Sequence, residues 1–159
     1  MHQHVRRHVY HLLAVSLAAV LLGGCATDMP SANNPVCSWE KSVPDNGDAI
    51  CRETFHTVNA LVRAQVHDDT ATIHRLVVTP RVGSRIINHG RSIRAQHISR
   101  YHVLPSIILD LPVKGVVGAS VELRGKKLSG STYSNTETVY MHIRNGTAYV
   151  FDDQALENW

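Results

Sequence analysis

What this sequence lacks sets the first limits on it. Its longest apolar run, Leu12–Leu22, has 11 residues, where a helix needs about 20 to cross a bilayer. A membrane-spanning anchor is therefore the poorer reading of the N-terminus. Beyond residue 24 the charges nearly cancel, 14 Lys and Arg against 13 Asp and Glu, which removes the global electrostatic case for nucleic acid. Only three cysteines occur, Cys25, Cys37 and Cys51, and their spacing is not that of a zinc or dithiol redox motif. Ser129-Gly130-Ser131 lacks the Gly-x-Ser-x-Gly frame of a nucleophile elbow. No internal repeat is present, and no acidic residue occurs between Asp69 and Asp110.

What is present starts with a basic, His-rich opening around Arg6-Arg7, then the apolar run, then Gly23-Gly24-Cys25. That is the layout of a secretory signal peptide. Leu22-Gly23-Gly24-Cys25 resembles the lipobox of bacterial lipoproteins. The resemblance implies cleavage before Cys25 and a new N-terminus carrying diacylglycerol and fatty acyl (palmitate-type) chains. Two or more such chains anchor a protein stably where one does not. Ala26 stands where some enterobacterial lipoproteins carry an inner-membrane Asp, so the outer membrane is expected in a host that has one. The chain then divides into a signal peptide (1–24), a lipidated tether (25–35) and one domain (36–159). The tether is small, polar and proline-punctuated, and as a coil it spans about 15–20 Å. With Cys25 taken by lipid, Cys37 and Cys51 remain as a pair in an oxidising compartment. A disulfide is expected there, with two free thiols or half a metal site as the alternatives.

Within the domain, Val36–Ile50 reads as an irregular cap around the turn Pro44-Asp45-Asn46-Gly47. Phe55, Val58, Leu61, Val62 and Val66 recur at three- and four-residue spacing, predicting a helix over Arg52–His67. Asp68-Asp69-Thr70 breaks it and offers N-caps for a second helix, which Thr79-Pro80 ends. A weaker helix is expected over Arg81–Asn88, interrupted at His89-Gly90, with further turns over Arg91–Ile98. From Tyr101 the pattern turns to strands. Pro105 and Pro112 punctuate one apolar run, and Val117–Leu123 and Val139–Ile143 alternate apolar with polar. Lys126–Ser134 reads as a loop, and Asn145-Gly146 as a type I′ turn into Thr147–Phe151.

Helices followed by hairpins make an α+β fold. Over about Arg52–Gln154 the chain resembles the cystatin-like cone of the ketosteroid-isomerase-like and SnoaL-like superfamily. The features that carry this are the helix–Asp-Asp–helix opening and the closing hairpin ending Tyr149-Val150-Phe151-Asp152-Asp153. The resemblance implies N-terminal helices packed across a curved antiparallel sheet. In the isomerases the cone holds a general-base Asp, with a Tyr and a protonated Asp as oxyanion donors. Asp110 is the one acid in the run Ile107–Val113, and Tyr101, His102, Tyr140 and His142 are candidates to share a cavity with it. No motif assigns a base at Asp110, so catalysis is not the expectation.

Histidines 89, 97 and 102 form no i,i+4 pair and have no acid beside them, so neither a metal nor a cofactor is expected. The acid-free stretch carries six arginines, of which Arg81 and Arg85, and Arg91 and Arg94, are spaced to share helical faces. Guanidinium groups so placed suit phosphate or carboxylate. The competing reading is internal pairing with Asp68, Asp69, Asp152 and Asp153. The expected function is a lipid-anchored envelope module that binds a partner protein or an anionic envelope component without transforming it. The alternative is a cone-pocket enzyme or carrier for a small apolar molecule, of the isomerase or dehydratase kind. A deep apolar pocket with convergent polar groups would favour the alternative.

Overall fold

The apolar stripe around Phe55, Val58, Leu61 and Val62 drives one long helix, α1 (Gly47–His67), with those four side chains buried. The computed structural model describes residues 35–151, apart from the side chains at 99 and 100. The signal peptide, Cys25, the tether and the segment after Phe151 lie outside the described residues. α1 ends where Asp68 takes a left-handed conformation (φ 59°). Asp69 then caps α2 (Thr70–Leu76), accepting from the Thr72 backbone N–H at 3.0 Å and from its hydroxyl at 2.6 Å.

The next helix departs from the sequence pattern. α3 is continuous over Pro80–Ala95 and runs straight through His89-Gly90. α2 ends at Leu76, ahead of Thr79-Pro80, and Thr79-Pro80 also starts this helix. Thr79 accepts from the Val82 N–H and Pro80 fills the first turn, where its missing donor costs nothing. Gly90 is not a breaker. A Cβ there would sit 3.2 Å from both the Cβ and the backbone oxygen of Gln65 on α1, so glycine lets the two helices approach.

Five strands form an open sheet in chain order: β1 (Val36–Trp39), β2 (Ile98–Asp110), β3 (Val116–Lys127), β4 (Thr132–Arg144) and β5 (Thr147–Phe151). The sheet is mixed rather than antiparallel throughout. The stretch expected as an irregular cap contains β1, which runs parallel to β2 at the edge, with Cys37 opposite Ile107 and Trp39 opposite Leu109. Those two inward side chains pack on the core, and a disulfide between Cys37 and Cys51 (S–S 2.04 Å) ties the strand to α1.

Pro105 does not divide β2. It lies where the β2–β3 register slips between Val103 and Ile107, so the donor it lacks is not needed by the ladder. The expected loop at 126–134 is narrower, because β3 runs to Lys127 and β4 begins at Thr132. Asn145 (φ 51°) and Gly146 (φ 79°) make the expected tight turn. The outer edge of β5 is covered, since Val78 donates to the Val150 oxygen (3.0 Å) and Ala148 to Glu53 Oε1 (3.0 Å).

The three helices lie on one face of the sheet. Val103, Ile107 and Leu109 of β2, Val117, Ala119, Val121 and Leu123 of β3, and Met141 of β4 are buried beneath them.

Candidate functional site

Strand alternation decides which candidate residues can meet. Tyr101, opposite Gly125, projects to the helix-covered face with Val103 and Leu123. His102, opposite Arg124, projects to the other face, as do Asp110 (opposite Gly118), Tyr140 and His142. The structure therefore separates Tyr101 from the rest by the thickness of the sheet. On the outer face, His102 lies roughly 20–25 Å along β2 from Asp110. Asp110 pairs with Lys41 (3.4 Å) and accepts from the Leu111 N–H (2.8 Å). His142 accepts from Arg144 Nε at 2.9 Å, and its pKa lies below the ordinary value through burial first and the Arg144 charge second. Of these groups Tyr140 contributes to the lining of the cavity described below, and His102, Asp110 and His142 do not.

The four arginines do not converge either. At about 100° per residue, Arg81 and Arg85 lie roughly 40° apart on α3, Arg91 roughly 120° round from Arg85, and Arg94 on the opposite side. Arg91 donates to Asn88 Oδ1 (3.2 Å). Arg94 donates to the Gln65 backbone oxygen and to Asp68 Oδ1 (2.6 Å), clamping the end of α1 to α3. Arg85 alone of the four lines a cavity.

That cavity, of about 470 Å³, lies between α1, α3 and the middle strands. Val58, Leu61 and Val62 of α1 form one wall, Val82 and Ile86 of α3 a second, and Val121, Leu123 and Val139 the floor. It lies beside the first half of β4, which has β3 on one side and no other strand neighbour among the described residues.

At the rim the chemistry changes. His89 of α3 reaches across to Glu137 of β4, with Nε2 3.4 Å from Oε1. Asn135 donates to the same oxygen at 3.0 Å. The hydrogen bond to Glu137 raises the His89 pKa above 6.5, outweighing the partial burial that opposes it. Glu137 also stands close enough to Tyr101 to add to the effect of burial in pushing the phenol pKa well up. The Tyr101 ring packs on Tyr133 (centroids 6.0 Å apart), and its hydroxyl is buried with no hydrogen-bond partner.

A larger cavity of about 550 Å³ lies at the other end of the sheet, around Asn46, Ile50 and residues 111–115. Lys114 is the one titratable group on its walls, so it offers no convergent chemistry despite its size. Among the described residues no three His, Cys, Asp or Glu side chains gather as a metal site would require.

In the sequence His89 stands out only as a candidate metal ligand, and Glu137 is not among the candidate residues. The available signal was Glu137 standing in phase with Val139 and Met141 on β4, an acid on the apolar side of an alternating strand. No protein-family model matches the chain, and no curated protein matches it either.

Proposed function

We propose that this is a lipid-anchored protein of the cell envelope whose domain holds a small, mainly apolar molecule in the pocket between α1, α3 and β3–β4. The observation that carries the reading is the cavity itself. Its roughly 470 Å³ and predominantly apolar walls fall in the range of sites that enclose small molecules, with Arg85, His89 and Glu137 as its titratable or charged groups apart from the Tyr140 phenol. The lipobox-like Leu22-Gly23-Gly24-Cys25 supports the envelope address, and Cys25 is the acylated residue in this reading. We also read the helices over one sheet face as a variant of the cystatin-like cone, with β1 as an added parallel edge.

A second reading, an isomerase- or dehydratase-like pocket, draws on His89 and Glu137, because a histidine held by a carboxylate at a cavity mouth can move a proton. The test is photo-crosslinking of the full chain in lipid nanodiscs with a twelve-carbon chain bearing a mid-chain diazirine. Labelling of peptides containing 58–62 or 121–139, lost on V139W, supports the pocket. Labelling that ignores V139W contradicts it. Recovery of bound molecules unchanged after incubation favours carriage, and a rearranged or dehydrated product favours the second reading. Mass spectrometry of the native N-terminus tests the anchor, since an unmodified Cys25 removes the envelope address.

A further inference from the structure

Glu137, Thr138, Val139 and Tyr140 all line the pocket, although successive side chains of a strand point to opposite faces of the sheet. The cavity therefore reaches round the backbone edge of β4. Val150 and Phe151 line it where β5 stops, opposite Met141 and Tyr140. The backbone groups along this edge follow a strict alternation. The tight turn at Asn145-Gly146 makes Arg144 and Thr147 a hydrogen-bonded pair, and such pairs recur at every second residue. Thr136 and Thr138 thus turn N–H and C=O away from β3, and neither has a second strand partner among the described residues. Neighbouring bonds agree with this phase. Ile143 donates toward β3, to Gly115 (2.9 Å), while Ala148 and Val150 of β5 bond away from β4, to Glu53 and Val78.

The sequence says what can cover this edge. β5 already runs antiparallel to β4, so the chain after Phe151 needs no turn to continue along it. In unbroken register Asp153 would fall opposite Thr138 and Ala155 opposite Thr136, both turned to β4, with Gln154 between them turned away. Charge points the same way. Residues 152–159 contain three acids and no base, whereas α3 contains four arginines and no acid. Asp152 would share the helix-covered face with Val139 and Val150, toward the half of α3 that carries Arg81 and Arg85.

We propose that residues 152–155 continue β5 along the edge of β4 as a strap that closes the mouth of the pocket, and that ligand enters when the strap peels away. Asp153 and Ala155 donate to the Thr138 and Thr136 carbonyls and accept from their N–H groups. Arg85 is engaged rather than free, so this ladder, not a vacant guanidinium, holds the segment. Two pairs at the end of a strand open readily, as a gate must. The strap stands on the sheet geometry, and its part in ligand entry rests on the carrier reading above.

The experiment is amide exchange at single-residue resolution on the full chain in nanodiscs, for the wild type and two proline variants. Proline has no N–H. A155P removes the donor to Thr136, and Q154P removes one that faces away from β4. Wild-type Thr136 and Thr138 amides are expected to be protected, with Thr136 exchanging about tenfold faster in A155P and within about twofold of wild type in Q154P. The twelve-carbon diazirine probe should label the 58–62 peptide about fivefold faster in A155P than in Q154P, because more of the protein is open to entry. Unprotected Thr136 and Thr138 in the wild type overturn the strap. So does an equal effect of the two prolines. Protection that fades on dilution and ignores both prolines gives the edge to a second copy, and overturns it as well. Faster exchange without faster labelling overturns the gate. Failure of the probe to label any of the three proteins overturns the carrier reading, and exchange still decides the strap. Protection of the core amide at Met141 shows that each variant is folded.

Discussion

Glu137 holds His89 more firmly when the imidazole is charged. Because the folded pKa is raised above 6.5, this pair contributes stability that is fully present below the unfolded pKa and is lost as pH rises through the folded one. The groups are half-exposed, so the contribution is about 0.5 kcal/mol. E137Q should lower the urea midpoint at about pH 5.5 and leave it unchanged at about pH 9. A midpoint difference that does not vary with pH would mean that the pair is not coupled. Tyr101 gives the opposite kind of expectation. Its hydroxyl is buried without a partner, so Y101F should hold stability level or raise it by up to about 1 kcal/mol. Y101L, which also forfeits the packing on Tyr133, should lower it. Urea unfolding of the two variants separates the ring from its oxygen. Neither residue's role was legible in the sequence, because Glu137 and Tyr101 acquire their surroundings from strand register and from a helix 40 or more residues of chain away from one of them.

At the level of elements, two glycines in α3 look alike in sequence and differ in what surrounds them. An added methyl at Gly90 meets the Gln65 Cβ and backbone oxygen of α1 at 3.2 Å, and a packed helix backbone cannot step aside. G90A should destabilise by about 1–2 kcal/mol despite its better helix propensity. At Gly83 the nearest atoms, 2.8 Å and 3.0 Å away, belong to the ring of the exposed His74, which can rotate clear. G83A should be neutral or stabilising by a few tenths of a kcal/mol, roughly what remains of the propensity gain. Thermal unfolding of the pair checks the contrast. The same residues show where sequence pattern succeeds. α1, the Asp69 cap and the Asn145-Gly146 turn follow from local periodicity and turn chemistry, each complete within a few residues. The sequence pattern breaks α3 at Gly90 because glycine is a poor helix former on its own account, whereas in the fold it serves a contact with another helix. β1 was hidden for a related reason. Four residues show too little alternation to register, and the strand is held by its neighbour β2 and by the disulfide.

Over the whole molecule, two regions divide the work. β1 is joined to the rest through β2 and the Cys37–Cys51 disulfide, which closes a loop across a sequence separation of 14. On the chain-entropy model such a link contributes about 3 kcal/mol. None of the pocket-lining residues lies on β1 or β2; all come from α1, α3 and β3–β5. The paired C37S/C51S protein should therefore unfold with a stability lower by about 3 kcal/mol, read from urea denaturation. Its pocket should still be labelled by the twelve-carbon diazirine probe at low temperature, with half-labelling within about twofold of the disulfide-bonded protein, because ligand affinity follows the folded fraction and that fraction stays near one while a few kcal/mol remain. Loss of labelling in a protein that circular dichroism shows to be folded would mean that β1 reaches the pocket through the sheet. The helix–sheet spacing over β3 and β4 would then depend on the pinned edge, and the cavity would belong to the whole fold rather than to its far half.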